Sequence, residues 1–111
     1  MAFYVVINIF DGGIIMLKCF SVHDVKSLSF GVPFFAVSDG VATRMISDAT
    51  NDSNTMLSKH PEDFSLYYIG LFDDVKGIVI PEPIPVHIVA VVALVGDRYR
   101  EQTSIPFDPA E

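Results

Sequence analysis

The chain has 111 residues, half of them hydrophobic, with a formal net charge of −7 and a single cysteine. This length suits one domain with a modest core, and the apolar content excludes general disorder. The acidic balance argues against a generic basic surface for coating DNA, since nonspecific affinity comes mostly from neutralising phosphates, and one cysteine makes neither an intrachain disulfide nor a multi-cysteine zinc site.

Residues 2–10 are rich in Val, Ile, Phe and Tyr and read as a strand, broken by Asp11-Gly12-Gly13. A second strand is expected over residues 15–23, with Lys18, Phe20, Val22 and Asp24 on one parity and Leu17, Cys19, Ser21 and His23 on the other. Residues 24–31 read as a loop. "PFFAVSD" follows as a short strand, and its Ser38 or Asp39 can cap a helix by accepting a bond from an exposed amide. The helix is expected over residues 40–50. Val41, Ala42, Met45, Ile46 and Ala49 form its apolar stripe, which assigns Met45 and Ile46 to the core. Asn51 suits the left-handed position at its end.

"NTMLSKH" can form one helical turn, and Pro61 then biases His60 toward an extended conformation. "FSLYYIGLF" reads as a central strand or one covered on both faces, with Leu66, Tyr68, Gly70 and Phe72 on one side and Ser65, Tyr67, Ile69 and Leu71 on the other. "DDVKG" is a hairpin loop, with Gly77 available for positive φ. "IVI" returns as a strand. Pro81, Pro83 and Pro85 are expected to form a stiff extended connector. "VHIVAVVALV" is a last strand or a short buried helix, and residues 97–111 form a polar tail expected to be mobile.

The predicted fold is α+β, a small mostly antiparallel sheet packed against one main helix. Residues 16–96 form a single domain, preceded by a strand or extension over residues 1–15. The two apolar end segments are about half the roughly 20 residues a transmembrane helix needs, and neither has the features of a secretory signal. A soluble protein without membrane association is expected.

Groups with chemical potential are scattered. Cys19 and His23 share a strand face but lie ~13 Å apart by strand rise, too far for direct proton transfer. Asp73 and Asp74 are adjacent, so regular strand geometry would splay them, and an EF-hand spacing is absent; they read as turn punctuation. Glu62 and Asp63 can form a local turn or meet Lys59. His23, His60 and His87 show no metal-motif spacing. Asp11-Gly12-Gly13 lacks the third glycine and following helix of a dinucleotide site, and no nucleophile elbow occurs. No enzymatic activity, cofactor or metal is expected. Phe20, Phe34, Phe35, Tyr67 and Tyr68 include candidates for stacking on single-stranded bases. Lys18, Arg44 and Lys59 can add local positive charge. The candidate nucleic-acid contacts are therefore Lys18, Arg44, Lys59 and Tyr67.

Three stretches in order, "MLKCFSVHD", "PFFAVSDGVATRMISDATND" and "SKHPEDFSLYYIGLFDDVKG", resemble the small nonstructural protein of gokushovirus-type microviruses, bacteriophages with single-stranded DNA. The last is the most specific: His60-Pro61-Glu62-Asp63 before an aromatic strand, then Asp73-Asp74 and Gly77. The resemblance covers residues 16 to about 80, and residues 1–15 depart from a start at a methionine like Met16. It implies a noncatalytic accessory protein of the host cytoplasm, absent from the mature virion. Such a protein would act in single-stranded genome synthesis or packaging, either by touching single-stranded DNA or by docking on viral replication or procapsid proteins. The alternative is an assembly or host-interaction module without DNA contact. A homodimer is a further expectation, since pairing would cover apolar segments and strand edges.

Overall fold

A computed structural model describes residues 16–96. The expected strand over residues 2–10 and the tail over residues 97–111 lie outside the described residues. The fold is α+β: a curled antiparallel sheet with one dominant helix. Its elements are β1 (Met16–Asp24), β2 (Ser29–Phe30), β3 (Phe34–Ala36), α1 (Asp39–Thr50), α2 (Met56–Lys59), β4 (Phe64–Asp73) and β5 (Ile78–Ala90). Single 3-10 turns at Pro61–Asp63 and Val91–Leu94 flank the β4–β5 hairpin.

The strand order is β2-β1-β4-β5, every pairing is antiparallel, and β3 pairs with β1 beside β2. Alternation along β1 sends Phe20 and Val22 to one face, where they meet Phe34, Leu66, Ala42, Ile46 and Val91 in the core. Helix α1 covers this face. Ser38 caps it, its hydroxyl accepting from the Val41 amide at 3.2 Å. The buried stripe is Ala42, Ile46 and Thr50. Met45 does not join it: it is 44% exposed, because the helix contacts the sheet through a stripe narrower than its apolar pattern.

Three other local expectations are corrected. The residues expected as a loop contain β2, whose Phe30 pairs with His23 and Ser29 with Asp24. Asn51 is not left-handed (φ −93°). Its side chain does the capping instead: the amide donates to Ser47 O and Leu94 O, and its oxygen accepts from the Gly96 amide at 2.6 Å. The proline-rich stretch is no separate connector. It lies inside β5, a single strand of 13 residues. Proline is tolerated in sheets at edges and bulges, and β5 offers both.

The bulge begins in β4. Cys19 pairs with Gly70 but Phe20 pairs with Tyr68, which leaves Ile69 extra. Across the other ladder Tyr68 pairs with Val86 and Gly70 with Pro81, so residues 82–85 loop out opposite Ile69. The expected four-residue face of β4 is broken at this point. Tyr68 stays on the helix side, in edge contact with Phe20. Phe72 crosses to the opposite face, where it meets Phe35 with ring centroids 5.7 Å apart. Gly70 permits the crossing, since a Cβ there would stand 2.7 Å from the Ile80 carbonyl oxygen. Gly77, at φ +73°, closes the hairpin as expected.

Two measurements check this packing by urea denaturation. Gly70→Ala should cost about 1–3 kcal/mol, because backbone on the opposing strand must move. Asn51→Ala should cost about 1 kcal/mol, because the bonds joining the end of α1 to residues 94–96 are lost.

Candidate nucleic-acid interface

The face of the sheet away from α1 carries a row of rings across four strands. Phe30 of β2 lies opposite His23 of β1, and Tyr67 of β4 lies opposite His87 of β5. Ring centroids are 4.6 Å apart for His23–Phe30, 5.4 Å for Phe30–Tyr67, 6.1 Å for His23–Tyr67 and 5.3 Å for Tyr67–His87. All four contacts are edge-to-face, the arrangement favoured by ring quadrupoles. Phe30 is 43% exposed, His87 is exposed, and His23 and Tyr67 are half-buried. A second group, Phe35 and Phe72, continues the apolar face toward the hairpin. No described helix packs on this side.

The proposed basic contacts lie elsewhere. Lys18 has the parity of Phe20 and sits on the helix side. Its ammonium is 2.6 Å from Asp39 Oδ1, in the first turn of α1, and 4.9 Å from the centre of the Tyr68 ring. Arg44 is exposed on α1, and Lys59 is exposed at the end of α2. The fold therefore places Lys18, Arg44 and Lys59 in or against the helix layer and Tyr67 on the opposite sheet face. Phe30 is not among the residues the sequence singles out, and His23 and His87 are weighed there only for proton transfer or metal binding. Their convergence depends on strand register, and neither their spacing nor their neighbours carries it.

Three acidic side chains serve the backbone. Asp73 is buried, and its Oδ1 accepts from the Val75 and Lys76 amides at 2.9 and 3.1 Å. Asp24 takes the Lys26 amide at 2.9 Å, and Asp52 takes the Asn54 amide at 3.0 Å. His60, Glu62 and Asp63 bring ligand atoms within 4.8 Å of one another, close enough to share a cation. They lie on one 3-10 turn with His60 and Glu62 exposed, a geometry that such a turn creates from adjacent residues alone. Among the described residues no nucleophile, base and orienting group come together as a catalytic cluster.

A matching family model, described as phage ORF5 protein, covers residues 17–94, which is every described strand and helix apart from Met16 at the start of β1. The chain belongs to the phage ORF5 family. Protein ORF5 of Chlamydia phage 1 is 36% identical over 66 residues, 56% of this chain and 69% of that protein. No solved structure gives a significant match. The aromatic row and the turn carboxylates of this ORF5 protein all fall within the matched span.

Burial pushes the Cys19 thiol up from its ordinary value. It also pushes up the Tyr68 hydroxyl, with Glu82, Asp39 and Cys19 adding to the shift. Both groups hold their protons more tightly folded than unfolded. Their contribution to stability is complete at neutral pH and is lost as pH climbs past the ordinary values of about 8.5 for thiol and 10 for tyrosine. Urea midpoints should therefore fall as pH rises above these ordinary values. Iodoacetamide at pH 8.5 should label Cys19 in the native protein much more slowly than in denatured protein, because the buried thiol has little thiolate.

Proposed function

We propose that this ORF5 protein is a nonstructural, noncatalytic accessory protein of a gokushovirus-type microvirus. It acts in the host cytoplasm during single-stranded genome synthesis or packaging, and it binds single-stranded DNA on the open sheet face. The observation that carries this reading is the row Phe30–His23–Tyr67–His87, which presents partly exposed rings on one side of the sheet. Bases freed from a duplex stack on such rings whatever their sequence.

Charge shapes the expected affinity. The chain carries 7 basic and 14 acidic residues, so phosphate neutralisation contributes little and stacking must supply most of the binding. Stacking contributes about 1–3 kcal/mol per base. A platform of this kind holds a few nucleotides with modest affinity and discriminates against duplex, whose bases are already stacked.

A second reading has its own observation. Strand β5 lies at the sheet edge among the described residues and exposes Ile78, Val79, Ile80, Ile84 and Val86. An apolar edge of this size suits docking on a viral replication or procapsid protein without DNA contact.

Fluorescence anisotropy with a labelled single strand, a duplex of equal length and a salt titration separates the two. The DNA reading expects preference for the single strand and a shallow salt dependence. Tyr67→Ala should weaken binding by about 5- to 150-fold, the loss of one stacked base. Arg44→Ala and Lys59→Ala should have smaller effects that vanish at high salt. Absence of binding at high micromolar protein and low salt overturns the DNA reading and leaves docking.

A further inference from the structure

Asp24, Asp39, Asp52 and Asp73 each hold backbone or a helix in place. One group of chemically capable side chains stands outside both that role and the ring row. His60, Glu62 and Asp63 bring an imidazole nitrogen and two carboxylate oxygens within 4.8 Å of one another. Among the described residues none of these three side chains has a hydrogen bond or an ion pair. Lys59, next to them in sequence, bridges to neither carboxylate. Two carboxylates gathered this closely repel each other, and a dication between them removes the repulsion.

The 3-10 turn does the gathering. At three residues per turn, positions three apart eclipse, which aligns Asp63 with His60 and leaves Glu62 beside them. No metal-motif spacing announces the group, because the familiar helical motif sets its ligands four apart. Pro61 is buried at the start of the turn and fixes the backbone there. Three bonds pin it further: the His60 amide donates to the Met56 carbonyl at 2.9 Å, the Asp63 amide to the His60 carbonyl at 3.0 Å, and the Val25 amide to the Asp63 carbonyl at 3.0 Å. His60 and Glu62 are exposed and Asp63 is half-buried, so an ion reaches them from solvent. Their side-chain torsions can draw the ligand atoms in by the small amount that bonds of about 2.0–2.2 Å require.

We infer that His60, Glu62 and Asp63 form a binding site for a divalent first-row transition cation, with zinc the best match. An imidazole nitrogen suits zinc and its neighbours, whereas magnesium and calcium take oxygen ligands, and calcium takes six or more. Three protein ligands leave one position of a tetrahedral zinc open to water or another external oxygen. The excess of acidic residues, 14 against 7 basic, also draws a dication toward the protein. A bound ion would clamp the turn across Pro61. It would thereby stiffen the entry into β4 and, through Val25, the β1–β2 turn. The site stands independently of the DNA reading.

Isothermal titration of the full chain with ZnCl2 tests this. Zn2+ should bind one to one with a dissociation constant in the micromolar range, and a tenfold excess of Mg2+ should not displace it. His60→Asn, Glu62→Gln and Asp63→Asn should each weaken binding by about tenfold or more, since even outer-shell partners of a metal are worth that much. Asp74→Asn removes an exposed carboxylate outside the group and should leave binding unchanged. Circular dichroism should show the variants folded, and Glu62→Gln, at an exposed position, keeps the test valid if another variant unfolds. In amide NMR spectra of wild type, substoichiometric Zn2+ should shift His60, Glu62, Asp63 and Val25 before other residues. Two results would overturn the proposal. One is a titration with no saturable Zn2+ uptake. The other is uptake that survives His60→Asn and Glu62→Gln unchanged, with amide shifts elsewhere, which marks adventitious binding to other carboxylates. No DNA is present in these titrations, so their failure leaves the DNA reading untouched, and loss of DNA binding in Tyr67→Ala leaves the metal site untouched.

Discussion

The extra residue at Ile69 governs most of what is distinctive here. Strand β4 pairs with β1 on one side and β5 on the other, so a shift of one residue in β4 disturbs both ladders at the same level. On the β1 side it moves Phe72 to the face opposite Tyr68. On the β5 side the same level carries an insertion of its own, residues 82–85 between Pro81 and Val86. Only glycine fits at residue 70, because the opposing Ile80 carbonyl fills the space of a side chain. A bulge adds local twist, and here it comes with a curled sheet, one face under α1 and the other bare of described helices.

That division separates two kinds of interaction. On the helix side, Phe20, Leu66 and Val91 are fully buried and Lys18 holds the first turn of α1 through Asp39. Lys18 sits where α1 begins, so the pair complements the helix dipole only through the carboxylate, and its main effect is to fix the approach of α1 to β1. On the other side the rings touch edge to face and stay partly open to solvent. The small core leaves no second layer of described elements to cover them.

Much of the fold is legible in the residues themselves. Periodicity places β1, α1 and β4, Ser38 marks the helix start, and Asp73 to Gly77 mark the hairpin. What escapes is whatever depends on pairing between distant segments. Nothing in "FSLYYIGLF" announces that Ile69 is extra, so simple alternation assigns Gly70 and Phe72 to the wrong face. Pro81, Pro83 and Pro85 read as a break because proline removes donors, yet an edge strand with a bulge has donors to spare. The candidate site suffers more. Lys18 carries the right charge for a phosphate, but it is already engaged by Asp39, and the partners of Tyr67 come from residues 23, 30 and 87.

Four of the carboxylates are engaged in holding the fold. Hydrolytic or metal-assisted chemistry needs acidic groups free to bind a proton or an ion. Here Asp73 is buried and takes two amides, Asp24 and Asp52 each take one, and Asp39 faces an ammonium. These side chains hold turns and one helix in place. The rings and aliphatic side chains with open surface are Phe30, Tyr67 and His87 on the face and Ile78 to Val86 along the edge, while His60, Glu62 and Asp63 keep their ligand atoms within 4.8 Å of one another on the 3-10 turn. Such rings and aliphatic groups act by shape and contact, on stacked bases or on another protein surface. That is the physical ground of the binding role proposed for this ORF5 protein.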